Sequence, residues 1–385
     1  MRILHLGFED PAMPGAGGGS IRTHEINRRL AAEGFDVTVL TTRYPGWEER
    51  IQDGVHYVPI GVGDGGNRLT RLAGYTAQLP VEAHKRRSRA DLVVEDFFAP
   101  FSSMAAPLWT GRPTMGVVQW LHARQKAREY KLPLHWVERF GVRSHRNLIA
   151  VSQGIADQLA AINPDVHVDV IGNGVSPDAW KVQPRLGKDI LCIGRLEFTG
   201  KGLDLLIAAW SKAAPHTGGQ LLIAGTGPDE AKVRMAVQAA GLNDRVRFLG
   251  WLSGAAKFEA LADARLVVVP SRAETFGLVA VESLAAGTPV ITFDIPCLRE
   301  IVPTGAGWLV PAFDVDALAQ AMRRHYPDPA LAAAGPRGRD FAAGYNWDAL
   351  ARKQAAAYRS AYAQTPIPLA RRRPRPGVTT ARQEM

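Results

Sequence analysis

The stretch Leu266-Val-Val-Val-Pro-Ser-Arg-Ala-Glu274, continued by Thr275-Phe-Gly-Leu-Val-Ala-Val-Glu282 and by Ser283-Leu-Ala-Ala-Gly-Thr-Pro-Val-Ile-Thr292, decides the fold. It reads as a strand, a short loop, a helix over Phe276–Ala286, and a second strand after Gly287-Thr-Pro289. Working outward, the same style recurs. In the second half, apolar runs lie at Asp189–Ile193, Gln220–Ala224, Val246–Leu249, Leu266–Val269 and Pro289–Thr292. In the first half they lie at Arg2–Gly7, Asp36–Leu40, His56–Ile60, Asp91–Val94, Thr114–Val118 and Leu148–Val151. Near-continuous apolar strands alternating with helical stretches indicate parallel sheets covered on both faces. The fold class is therefore α/β, with two Rossmann-like domains in tandem. The expected boundary lies in the Gly/Pro/Asn-rich stretch from Ile171 to Pro184, giving domains over 1–176 and 177–341. No short-period repeat is visible.

A chain of 385 residues is about the right size for two such domains. Hydrophobic residues at 46% and charged residues at 22% are ordinary for a globular protein. No apolar run approaches the ~20 residues that span a bilayer. The N-terminal run Met1–Gly7 lacks the features of a signal peptide, so the expected location is cytoplasmic. Cys192 and Cys297 show no metal-type or disulfide-type spacing. Of the net charge of +9, +4 belongs to residues 365–385, a Pro/Arg-rich tail expected to be disordered. No nucleic-acid-binding signature accompanies the charge.

Ligands of open parallel sheets bind beyond the carboxyl ends of the strands, so the chemistry is sought in the loops that follow them. Pro14-Gly-Ala-Gly-Gly-Gly-Ser20 follows the first strand and feeds a helical stretch, Arg22–Glu33. It is either an anion cradle of backbone amides or a flexible turn. Gly277 stands at a helix start, where unpaired N–H groups face outward. A carboxylate near a phosphate would be repelled, so Glu274 and Glu282 suit hydroxyl donors from a sugar or ribose. The plain alternative makes them a helix-end charge and a solvated face residue. In Ile193-Gly-Arg-Leu-Glu-Phe-Thr-Gly-Lys-Gly202, Arg195 and Lys201 share a glycine-punctuated loop that suits a diphosphate leaving group. Surface salt bridging is the alternative there, and the nearby Glu pair weighs against it.

With these residues in view, the chain resembles the retaining glycosyltransferases of family 4, which have the GT-B fold. The resemblance is carried by Gly194-Arg195 with Lys201-Gly202, by Gly225-Thr-Gly-Pro228, Phe248-Leu-Gly250 and Glu274–Ile291, and by Gly17-Gly18-Gly19 with Thr23–Leu40. It reaches to about residue 362 and is strongest between 190 and 310. It implies two domains facing a central cleft and a C-terminal helical segment, 342–364, crossing back to the first domain. It also implies roles. Arg195 and Lys201 neutralise the donor diphosphate, Glu274 holds the donor sugar, and Glu282 holds the ribose. Amides at Phe276, Gly277 and Leu278 cradle phosphate and sugar. Gly17 and Gly18 close on the diphosphate, and the segments after Gly225 and Gly250 meet the base. The activity implied is transfer of a hexosyl-type sugar from a nucleotide-sugar, UDP favoured and GDP possible, with no metal and no cofactor. The acceptor is a small-molecule, saccharide or lipid-linked hydroxyl.

One departure stands out. The family carries a histidine just after a strand of the first domain, and Gln119 occupies that position here, with His122 three residues later. Either is a candidate for the catalytic position. Glu95 and Asp96 end a strand and either bind an acceptor or cap the next segment. Ser152 is read as a helix cap. Thr70–Arg89 combines Lys85, Arg86, Arg87 and Arg89 with Leu72, Tyr75, Leu79 and Val81. It is either a peripheral contact with anionic lipid or an ordinary exposed helix. Two rival functions are kept: a non-catalytic nucleotide-sugar-binding protein, motivated by Gln119, and a GT-B sugar-nucleotide epimerase.

Overall fold

A computed structural model describes residues 1–98, 103–121 and 134–364. The apolar runs form two sheets. The first has eight strands in the order β3-β4-β2-β1-β5-β6-β7-β8. These are β1 (Arg2–Leu6), β2 (Asp36–Thr42), β3 (Arg50–Gln52), β4 (Val55–Ile60), β5 (Leu92–Asp96), β6 (Thr114–Val118), β7 (Asn147–Ala150) and β8 (His167–Val170). All pair in parallel except β3, which runs antiparallel to β4. The second sheet has six parallel strands in the order β11-β10-β9-β12-β13-β14. They span β9 (Ile190–Ile193), β10 (Leu221–Ala224), β11 (Val246–Gly250), β12 (Leu266–Val269), β13 (Val290–Phe293) and β14 (Gly307–Val310).

Strand order reverses direction at β1/β5 in the first sheet and at β9/β12 in the second. At such a switch point the helices on either side diverge and leave a crevice at the strand ends. The loops after β1, β9 and β12 open into these crevices, and they carry the glycine run, Arg195 with Lys201, and Glu274 respectively.

The C-terminal helix, Trp347–Ala363, crosses back to the first half. Its Leu350, Ala355 and Tyr358 share an apolar cluster with Ile26, Leu30, Phe35 and Val94. Asn346 caps it, accepting from the N–H groups of Asp348 and Ala349. The fully buried Arg22 joins the layers, donating 3.0 Å bonds to the Ile171 carbonyl and to Gln354 Oε1. A charged side chain is tolerated in such a core only with partners of this kind.

A second tie runs between the halves. The helix Gln153–Ile162 begins at Ser152, whose hydroxyl accepts from the Ile155 N–H as a cap should. The preceding N–H groups, of Gln153 and Gly154, donate to Glu300 of the second half at 2.8 and 2.9 Å. Loss of a helix cap costs about 1 kcal/mol. Glu300→Ala is therefore expected to lower the urea midpoint by that stability with an unchanged slope. An unaltered midpoint would show that the bridge contributes nothing.

Candidate active site

The site is built where two loops of the second sheet meet back to back. After β9 the chain makes a short helix, Phe198–Lys201, and turns at Gly202, whose φ is +65°. A Cβ there would lie 2.1 Å from the Pro270 carbonyl oxygen, so only glycine allows the loops after β9 and β12 to touch. Arg272 bolts them together, with two bonds to the Asp204 carboxylate at 2.7 and 2.6 Å, one to the Phe198 carbonyl, and its own N–H on the Gly200 carbonyl. This backbone contact brings Lys201 to Glu274. Lys201 Nζ stands 2.5 Å from Glu274 Oε1, which also accepts from Ser271 Oγ at 2.8 Å. The buried Cys297 thiol donates to the Glu274 carbonyl, fixing the loop from behind.

Gly277, at φ +82°, turns the chain into the helix Leu278–Ala286, and a Cβ there would meet Leu298 at 2.5 Å. Its N-cap residue is a glycine with no side chain to offer, and among the described residues no side chain bonds its first amides, which leaves them available to an anion. The helix begins two residues later than the pattern suggested, because Phe276 is drawn into the core. The Phe276 ring packs on Gly172 and Tyr345, and only its backbone belongs to the loop. Glu274 lies outside the helix, and among the described residues its carboxylate bonds Lys201 and Ser271 rather than the helix amides. Glu282 is 4% exposed rather than solvated, and Lys257 Nζ lies 2.5 Å from its Oε1. Burial pushes the Glu282 carboxyl above its ordinary range, against the pull of the Lys257 ammonium. Arg195 is 67% exposed, with Glu197 at 3.9 Å, which leaves its guanidinium available to a ligand. Arg195, Lys201, Ser271 and Glu274 line one cavity with Gly194 and Pro270.

On the first sheet, Gly17 precedes the helix Gly18–Ala32, which therefore starts within the glycine run. The Gly17 N–H donates to Glu9 Oε2 at 3.0 Å, and Gly18 has open space where a side chain would be. Gln119 leaves the end of β6 and donates to the Gly19 carbonyl at 3.3 Å, so it packs on the first turn of that helix. His122 lies outside the described residues, as do residues 365–385.

The model for glycosyltransferase family 4 matches residues 16–179, and that for glycosyl transferases group 1 matches residues 187–328. The chain belongs to glycosyltransferase family 4. A glycogen synthase of Mycobacterium tuberculosis is 29% identical over 94% of this chain and 95% of its own length. A phosphatidyl-myo-inositol mannosyltransferase of Mycobacterium leprae is 38% identical over 40% of this chain and 42% of its own. Among solved structures, sucrose-phosphate synthase from Thermosynechococcus elongatus superposes with a TM-score of 0.79 at 24% identity, covering 94% of this chain and all of that one. The architecture is thus that of the GT-B glycosyltransferases.

Several side chains of this family 4 chain take structural places. Glu95 is buried and accepts from Ser103 Oγ and from the amides of Met104 and Ala106, with His145 Nε2 3.1 Å from its carboxylate. It ties Ser103, Met104 and Ala106 to the end of β5. Asp96 accepts from Thr23 Oγ1 at 2.8 Å and faces His5 at 3.1 Å. Burial would raise its carboxyl, but His5, Thr23 and Arg22 outweigh that and hold it below the ordinary range.

The basic segment is a helix, Arg68–Arg86, with Pro80 inside it, followed by a short turn of helix at Arg87–Arg89. Tyr75 and Leu79 face the core, so part of the apolar surface read as amphipathic is already spent on the fold. Glu82 pairs with both Lys85 and Arg86. Leu69 and Val81 remain exposed. Among the described residues no helix is long and apolar enough to cross a membrane.

The sequence did not point to Ser271, Lys257 or Glu9. Ser271 could have been suspected from its place at a strand end. Lys257 meets Glu282 only through packing of two helices, and no spacing signals that.

Proposed function

We propose that this glycosyltransferase moves a hexosyl group from a nucleotide-sugar to a hydroxyl acceptor with retention of anomeric configuration and without a metal. The observation that carries the reading is the Lys201–Glu274 pair beside an uncapped helix start and the available Arg195. The diphosphate takes the Gly277–Leu278 amides, Arg195 and Lys201. The sugar hydroxyls donate to Glu274, and the ribose hydroxyls donate to Glu282. As the bond from C1 to the phosphate oxygen breaks, negative charge grows on the diphosphate, and prearranged cations and amide dipoles stabilise it there most effectively. The acceptor oxygen bonds to C1 on the same face, and its proton passes to the departing phosphate oxygen. Gly17 and Gly18 complete the cradle from the first half, with Gln119 or His122 near the reacting sugar.

UDP is favoured over GDP by its prevalence in the family. The acceptor is a small-molecule, saccharide or lipid-linked hydroxyl. The lipid-linked case draws on the exposed Leu69 and Val81 beside Lys85, Arg86, Arg87 and Arg89, a peripheral contact with an anionic bilayer. A sensor without catalysis is the reading that Gln119 favours, and measurable transfer or donor hydrolysis excludes it.

Incubation with UDP- and GDP-hexoses and simple glycosides, followed by proton NMR of the product, tests the proposal. The expected product keeps the donor's anomeric configuration, in the presence or absence of a chelator. An inverted linkage, or activity lost to chelation and restored by magnesium, would overturn it.

A further inference from the structure

Glu282 sits on a helix whose residues from Ala280 to Ala286 are all buried. A carboxylate in such surroundings needs a partner to stay ionised. Among the described residues the one hydrogen bond to it comes from Lys257 Nζ, onto Oε1 at 2.5 Å, and nothing donates to Oε2. Lys257 reaches it from the helix Gly254–Asp263, which follows β11, and its own side chain is only 23% exposed. The other charges on that helix look elsewhere: Glu259 and Asp263 both pair with Arg185.

Resting on the reading of Glu282 as the ribose-binding carboxylate, we propose that Lys257 is a positioning residue for the nucleoside end of the donor. It holds one carboxylate oxygen so that the other is presented, charged, to the ribose hydroxyls. Glu282 lies five residues beyond Gly277, about 7.5 Å along the helix. That step is commensurate with the distance from a nucleotide's diphosphate to its ribose hydroxyls. Lys201 and Lys257 thus serve the same helix in two ways. Lys201 acts at its start on the reacting end, and Lys257 acts about one and a half turns in, on an end that does not react.

A residue that acts only on the ribose end contributes to binding equally in ground and transition states. It therefore changes KM and leaves kcat largely alone. Lys257→Met is expected to raise the donor KM at least about tenfold, because breaking a buried charge pair leaves one charge uncompensated. The kcat should stay within a few-fold, and Lys257→Arg should restore most of the KM. With a 2′,3′-dideoxyribose analogue of the same donor, wild type and Lys257→Met should converge, since the hydroxyls that Glu282 receives are gone. Thermal melts check that each variant folds; if Lys257→Met does not, Lys257→Gln takes its place.

Should Lys257→Met leave the donor KM within twofold while Glu282→Gln raises it, the positioning role is wrong and the ribose reading stands. A rise in KM that persists undiminished with the dideoxy donor also overturns the role, leaving Lys257 a structural residue. If Glu282→Gln itself has no effect on donor KM, the reading beneath the proposal fails as well.

Discussion

Lys201→Ala is expected to lower kcat by about 10²–10³-fold, the range seen when one prearranged donor to a developing anion is removed. The ammonium lies between two demands. It contacts Glu274, and in the proposed donor complex it also faces a diphosphate that gains charge as the sugar leaves. Removing it withdraws stabilisation from the transition state and leaves the Glu274 carboxylate uncompensated beside a dianion. Both effects act more strongly on the transition state than on the bound substrate, so kcat should fall further than KM rises. Lys201 is 34% exposed, so the fold should tolerate the loss, with a melting temperature within a few degrees of wild type. Steady-state kinetics and a thermal melt on the same preparation separate the outcomes. A variant that keeps near-wild-type turnover would remove Lys201 from the chemistry.

Glu274→Gln should lower kcat by about 10²-fold, the usual scale for losing a charged contact at the reacting centre. The amide keeps the shape but cannot accept strongly from Lys201, Ser271 and sugar hydroxyls together. The double variant Lys201→Ala/Glu274→Gln carries a sharper expectation. Glu274 is the repulsive neighbour once Lys201 is gone, so the paired change should cost less than the two single losses combined. Strict additivity in kcat would show that the contact seen here does not persist in the complex with donor.

Much of the fold was legible because interior parallel strands are buried on both faces, and their sequences are continuous apolar runs. Thr114–Val118 and Leu266–Val269 coincide with β6 and β12. The three strands that the pattern missed, β3, β8 and β14, are all sheet edges. Edge strands have one open side, so His167-Val-Asp-Val170 can alternate in polarity and Gly307-Trp-Leu-Val310 can begin on a glycine. Helix starts were misplaced for a related reason. The run at Gly17-Gly18-Gly19 reads as a loop by propensity, yet the helix starts there, at Gly18.

The candidate site was legible to the extent that it lies on loops after strands. That rule singled out Arg195, Lys201 and Glu274 as candidates and the family resemblance supplied their expected roles, while the partner of Glu282 depends on how two helices pack. Sequence spacing carries no record of an ion pair 25 residues apart. Gln119 reads as a departure at a strand end, and the structure puts it against Gly19, in the first turn of the helix that follows the glycine run.

Thermal denaturation of wild type and Lys201→Ala against UDP- and GDP-sugars tests most directly whether this segment holds a nucleotide-sugar. At a hundred times its Kd, one donor should stabilise the wild type by about 2.7 kcal/mol, and the variant should need a much higher concentration for the same shift. If no nucleotide-sugar stabilises the wild type, or if Lys201→Ala responds identically to the donor that does, the assignment of the donor site to Arg195, Lys201 and the Glu274–Glu282 segment is contradicted.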